Sequence, residues 1–173
     1  MNLWYKLGLI GLKKILIFKL IKYFGEYENL IKCDTNYLMS LNLSNEVINN
    51  IKKSEKINLD DEKEKLEKRE TKLLCITDDD YPFLLKNISN PPPFLYVKGN
   101  GKISEKSIAI VGTRRNTIYG KSAVESIVNG LVDYNVNIVS GLAMGIDSIA
   151  HKQTLKKGGM TIAVVAGGVD VEY

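Results

Sequence analysis

The chain has 173 residues, 45% of them hydrophobic and 25% charged, and a formal net charge of +4. These are ordinary values for a soluble globular protein of one or two small domains, and the mild basic surplus permits a polyanionic partner without demanding one. Two cysteines far apart, Cys33 and Cys75, and a single histidine argue against a zinc site and suit a reducing cytosol.

Residues 7–24 are rich in Leu and Ile, but Lys13, Lys14, Lys19 and Lys22 interrupt them. Nothing approaches the ~20 apolar residues of a membrane span, and there is no small-residue cleavage site of the A-x-A kind. A cytoplasmic protein with no membrane partner is expected.

Residues 1–54 read as a small helical domain. Leu3, Trp4 and Leu7 precede a turn at 9–11; Leu12, Ile15, Leu16 and Leu20 follow it, and Gly25 ends the second helix. A helix, a short glycine turn and a helix opening on Lys13-Lys14 resembles a helix-hairpin-helix within a SAM-like all-α domain. Two readings are open: the hairpin amides grip nucleic-acid phosphates, or Gly11 only turns the chain. Residues 38–51 supply another helix, with Ser44 as its cap and Glu46 in its first turn.

Residues 55–72 crowd charges of both signs, with Asp61–Lys65 and Glu64–Lys68 at i, i+4 spacing. Leu59 and Leu66 make too thin a stripe for a core helix, so this segment reads as a solvated linker helix. Residues 73–77 form a short strand. The Asp78-Asp79-Asp80-Tyr81-Pro82 run is turn chemistry, because consecutive carboxylates do not converge on one cation. Asn90-Pro91-Pro92-Pro93 stiffens the connection to a strand at 94–97.

From residue 107 the pattern alternates strand and helix. Residues 107–111 (SIAIV) are an uncharged run, as a strand covered on both faces should be. A glycine-bearing loop at 112–120 leads into a helix with Val124, Ile127, Val128 and Leu131 on one face. Residues 136–139 are the next strand, and Ser140-Gly141 opens a second loop. Asp147 stands as N-cap of a helix carrying Ile149, Ala150 and Leu155, which Lys156-Lys157-Gly158-Gly159 closes. Residues 160–165 make a third strand. This is βαβ logic: an α/β protein with a Rossmann-like parallel sheet, here residues 73–173, incomplete at its C-terminal end.

Ligands of such sheets gather at the carboxyl ends of the strands, where the loops 112–120, 140–146 and 166–173 meet. The first two run into helix N-termini, whose free amides and dipole favour anions. Arg114 and Arg115 add forked donors suited to phosphate. Gly112, Gly141 and Gly145 would let a ligand approach the backbone, and Thr113, Thr117 and Ser140 offer hydroxyls that either touch phosphate or cap and turn. Tyr119 either stacks on a base or packs. His151, one turn beyond Asp147, lines the pocket but has no evident acid partner. No G-x-G-x-x-G follows the first strand and no G-x-x-x-x-G-K-[ST] occurs, so NAD and Walker-type ATP chemistry lose their support. The expectation is a binding protein with no catalytic set, no cofactor and no metal.

The strings IAIVGTRRNTIYG, IVSGLAMGIDSIAH and GGMTIAVVAGGVDVEY, in that order, resemble the DNA-processing protein A family (DprA, also called Smf), and DDDYPFLLKNISNPPPFLYVKGN resembles its lead-in segment. The resemblance implies sequence-independent binding of single-stranded DNA in a basic pocket, with Arg114 favoured over Arg115. It also implies handover of that DNA to the RecA recombinase in natural transformation and recombination, and a homodimer in the full-length family. The family continues past the point where this chain stops, so an N-terminal fragment is expected. In it, self-association and RecA contact, which involve the later core, are absent or impaired. In the 3-2-1-4-5-6 strand order the strand at 107–111 would lose a neighbour and become an apolar edge, leaving the chain marginally stable. The alternative function is a nucleoside-monophosphate phosphoribohydrolase of related sheet type, marked by a later P-G-G-x-G-T motif, or a nucleotide-sensing module.

Overall fold

The computed structural model describes residues 1–99, 103 and 105–169, and the chain falls into two compact units, Met1–Gly99 and Asn100–Tyr173.

The first unit begins with α1 (Tyr5–Leu9), α2 (Lys14–Phe24), α3 (Tyr27–Lys32), α4 (Thr35–Ser40) and α5 (Asn45–Ser54). Gly11, at φ 76°, makes the turn between α1 and α2, and Gly25, at φ 68°, ends α2; both need a left-handed backbone that glycine adopts without strain. Ser44 caps α5 as expected, accepting a hydrogen bond from the Val47 amide at 3.3 Å. The single helix expected over 38–51 is two. Asn42, at φ 58°, breaks the chain between α4 and α5. Leu7, Ile17, Leu30, Leu38 and Ile51 are fully buried in the core between these helices.

Next, α6 (Asp60–Lys68) buries nothing. It carries the expected Glu64–Lys68 ion pair at 2.7 Å, but Lys65 turns to Glu62, at 2.6 Å, rather than to Asp61. Then β1 (Thr71–Cys75) pairs antiparallel with β2 (Phe94–Lys98), the short α7 (Phe83–Lys86) lying between them in sequence. Asp78 closes the turn after β1 by accepting from the Cys75 amide at 2.8 Å.

Leu74, Cys75, Ile76, Phe94 and Leu95 pack into the same cluster as Leu7, Ile17 and Leu30. A two-stranded sheet has too little apolar surface to stand alone, and the helices supply its cover. The β1–β2 pair therefore belongs with the helices, and the division falls after residue 99 rather than at 72/73.

The second unit holds β3 (Ser107–Ala109), α8 (Ile118–Asp133), β4 (Asn137–Ser140), α9 (Ile146–Lys156) and β5 (Thr161–Ala163). The strands are parallel in the order β3-β4-β5, with Ile108 beside Ile138 and Val139 beside Ile162. Val124 and Val128 of α8, Ile138 of β4, and Ile146 and Ala150 of α9 form one core. Both helices therefore cover the sheet face that carries Ile138. One expectation fails here: the strand at 107–111 is not covered on both faces, since Val111 is 73% exposed. Gly158, at φ 72°, ends α9 as its position after the lysines predicted.

Candidate nucleic-acid interface

The loops after β3 and β4 lie together at one end of the sheet. The Ile146 amide donates to the Thr113 carbonyl at 3.1 Å. The carboxylate of Asp147 accepts from the amides of Gly112, at 3.3 Å, and Gly141, at 3.2 Å. One buried side chain thus ties both loops to the first turn of α9. Asp147 is not the N-cap of that helix; Gly145 is, and Asp147 lies inside the first turn. Where the sequence suggested a helix cap, its carboxylate instead holds two loops.

This tie changes what the glycines are for. A Cβ on Gly145 would sit 2.2 Å from the Thr113 carbonyl oxygen, and Gly145 also has φ 84°. A Cβ on Gly112 would sit 2.7 Å from the Ile146 side chain, and one on Gly141 would sit 2.9 Å from the Asp147 carboxylate. The three glycines let loop meet loop, where the sequence suggested that they let ligand meet backbone. Ile146, whose amide and side chain both clamp the first loop, escaped the sequence reading because an apolar residue at a helix start carries no distinguishing signal.

The N-terminus of α9 is consequently partly occupied. Its Ile146 amide is used by Thr113, and its Ser148 amide donates to Ala143 at 3.1 Å. The amides of Gly112 and Gly141 are taken by Asp147. The N-terminus of α8 is different. Thr117 caps it by accepting from Gly120 at 3.0 Å, and the Lys121 amide closes onto the Thr117 carbonyl. No hydrogen bond from the Ile118 or Tyr119 amide is seen among the described residues. These are the orphan donors that make a helix start attractive to anions.

Other proposed ligands divide the same way. Ser140 is buried, and its hydroxyl donates to the Ile110 carbonyl at 2.6 Å, so it ties β3 to β4. Thr113 holds its own loop, its hydroxyl accepting from the Arg115 amide at 3.1 Å. His151 is also buried. Its Nδ1 lies 2.6 Å from the Thr161 hydroxyl, which donates to the Ile138 carbonyl at 2.9 Å. By contrast Arg114 and Arg115 are exposed, with no ion-pair partner seen among the described residues. Tyr119 is 82% exposed, so its ring is not packed, and Ile118 and Met144 are exposed too, at 88% and 75%. Of the third loop, residues 170–173 lie outside the described residues.

The description "DNA recombination-mediator protein A" belongs to a family model that matches residues 72–173, more than half of the chain. The chain belongs to that family. The DNA-recombination-mediator core of this chain is 44% identical over 100 residues to the DNA processing protein DprA of Bacillus subtilis, covering 57% of this chain and 34% of that protein. It is 44% identical over 99 residues to the Streptococcus pneumoniae DprA, covering 57% and 35%. The X-ray structure of the S. pneumoniae DprA superposes with a TM-score of 0.76 at 30% identity, over all of this chain and 60% of that one. The chain thus spans about a third of the length of these curated relatives and 60% of the solved structure. The α/β fold, with its helices and small parallel sheet, matches that of the S. pneumoniae DprA structure. Among the described residues no helix is long and apolar enough to cross a membrane.

Proposed function

We propose that the rim formed by residues 112–120 and 141–145 binds single-stranded DNA through its phosphates, without reading base sequence. The Arg114 and Arg115 guanidinium groups would contact successive phosphates, and the Ile118 and Tyr119 amides at the start of α8 would hold another. The exposed Tyr119 ring would stack on an unpaired base, which any base satisfies. The observation that carries this reading is the joining of the two loops by Asp147 and by the Ile146–Thr113 hydrogen bond. It fixes one rim in which arginines and helix-start amides without partners among the described residues share a loop.

In the complete protein this binding would serve DNA uptake and recombination in the cytoplasm. The protein would act as a mediator rather than an enzyme, passing the strand to the RecA recombinase. The family description and the DNA-processing names of the relatives support that role. Dimerisation would belong to the complete protein.

The test is a titration of fluorescent oligo-dT with the protein at several salt concentrations. Log affinity should fall linearly with log salt, by about 0.7 per phosphate neutralised, and Arg114→Ala should reduce both affinity and slope. Binding that is absent at low salt, or unchanged in Arg114→Ala, would overturn the proposal.

A further inference from the structure

The basic surplus of the chain is not spread evenly. Residues 1–25 hold five lysines and no acidic residue, whereas the other 148 residues, with 19 basic and 20 acidic, are almost balanced. Lys6 is spent inside the first unit, its Nζ donating to the Glu55 carbonyl at 2.9 Å. Lys13, Lys14, Lys19 and Lys22 are exposed, and no ion pair is seen at them among the described residues. With about 100° between successive residues, Ile17, Leu20 and Ile21 of α2 face the core, and Lys14, Ile15, Phe18, Lys19, Lys22 and Tyr23 fill the opposite half of the helix. Aromatic rings stand among those lysines. The Lys22 Nζ lies 5.3 Å from the centre of the Phe18 ring. Tyr23 is 56% exposed and Tyr37, on α4, is 48% exposed, and their hydroxyls are hydrogen-bonded at 2.6 Å. That bond holds two exposed rings together at the end of the lysine row.

We infer that this outer face of α2, with Tyr37 beside it, is a second binding surface for single-stranded DNA, distinct from the rim. The lysines would neutralise phosphates, and the Tyr23 and Tyr37 rings would stack on unpaired bases. A basic row on one helix face is the electrostatic footprint of a polyanion, and the exposed rings select among polyanions. A duplex keeps its bases stacked on one another and has none to offer. A helix that settles on an anionic bilayer buries its apolar face there, but Ile17, Leu20 and Ile21 of α2 are already buried in the protein core. The contact differs from the hairpin grip that the α1–α2 pair suggested. The Gly11 and Leu12 amides donate to the Gly8 and Leu7 carbonyls at 3.0 and 3.1 Å, so those hairpin donors are spent. The ligand assigned to this face rests on the DNA reading above, while its residues all lie in the first unit.

The test titrates the whole chain with fluorescent oligo-dT across salt, using two multiple variants made separately and together. Lys14→Gln, Lys19→Gln and Lys22→Gln in one chain should lower the salt slope by about 2, from three phosphates at about 0.7 each, and weaken binding at low salt at least about tenfold. Arg114→Ala with Arg115→Ala should lower the slope independently, and the combined variant should show both losses. All five side chains are exposed, so the fold should survive their replacement. A lysine variant that binds like wild type overturns the inference and leaves the rim standing. An arginine variant that binds like wild type, beside a weakened lysine variant, overturns the rim and leaves the inference standing. Photo-crosslinking of the wild-type chain to an oligonucleotide carrying 5-iodouracil needs no variant, and its cross-links should map to Tyr23 or Tyr37. Cross-links confined to the second unit, a duplex of equal length bound as tightly, or phosphatidylglycerol vesicles bound while oligo-dT is not, would each overturn the inference.

Discussion

The carboxylate of Asp147 accepts a hydrogen bond from the amide of Gly112 across 35 positions of sequence, and its other oxygen does the same for Gly141. A single acidic side chain is thereby spent on holding two loops in register, at the rim where an anion is expected. Two fixed amide dipoles partly compensate its charge, which reduces the repulsion that a carboxylate there would otherwise exert on phosphate. Replacing it should untie the rim. Asp147→Ala should cost about 1.5–3 kcal/mol, the range for hydrogen bonds to a charged group, read from urea unfolding with an unchanged m value. Asp147→Asn should behave like a loss rather than a conservative change, because one end of its amide would present a donor to a donor.

Two glycines should respond oppositely to the same substitution. Gly145→Ala places a methyl 2.2 Å from the Thr113 oxygen at φ 84°. It should destabilise the second unit by at least about 2–3 kcal/mol, combining overpacking with left-handed strain. Gly130 lies inside α8, and a Cβ there would meet nothing within 4 Å. Gly130→Ala should therefore stabilise by about 0.5–1 kcal/mol, through the smaller conformational freedom of the unfolded chain. Thermal unfolding of both variants checks the pair.

His151 gives a pH dependence with a definite sign. Burial holds its imidazole below the ordinary histidine range, opposed by the charge of Asp147. The Thr161 hydroxyl donates to Ile138, so it accepts from His151, and the proton is assigned to Nδ1. Nε2 is buried, with no partner among the described residues. As pH falls below about 6.5, the unfolded state binds the proton first. Stability should therefore decline through the mildly acidic range and level off below the folded-state value. In His151→Gln that component of the pH profile should vanish. A wild-type unfolding free energy flat between about pH 7 and pH 5 would contradict the assignment.

At the rim, Tyr119→Ala should weaken oligo-dT binding by about 1–3 kcal/mol if one base stacks on the ring, with no change in salt slope. Arg115→Ala should lower the slope as Arg114→Ala does, by about 0.7. The two effects separate stacking from charge in one anisotropy titration. Ser140→Ala, by contrast, should leave the slope unchanged, because its hydroxyl is spent on Ile110.

The alternation of apolar runs with helical stretches from residue 107 onward was enough to assign a parallel α/β core, and glycine at 11, 25 and 158 marked three turns that the fold places there. Those features are local: side-chain periodicity and backbone freedom act within a few residues, so the letters alone report them. Which unit the strands at 71–75 and 94–98 would join was a matter of which apolar surface lay free to cover them, and only packing against Leu7, Ile17 and Leu30 answered it. The same holds at the rim. Composition and spacing marked Gly112, Gly141, Gly145, Ser140 and Asp147 as special, but their partners lie on other elements. Only the tertiary structure decided that these residues serve one another, and that Arg114, Arg115 and Tyr119 are left facing outward. A hydrogen bond or a forbidden Cβ is a relation between two places in space, and a sequence records one place at a time.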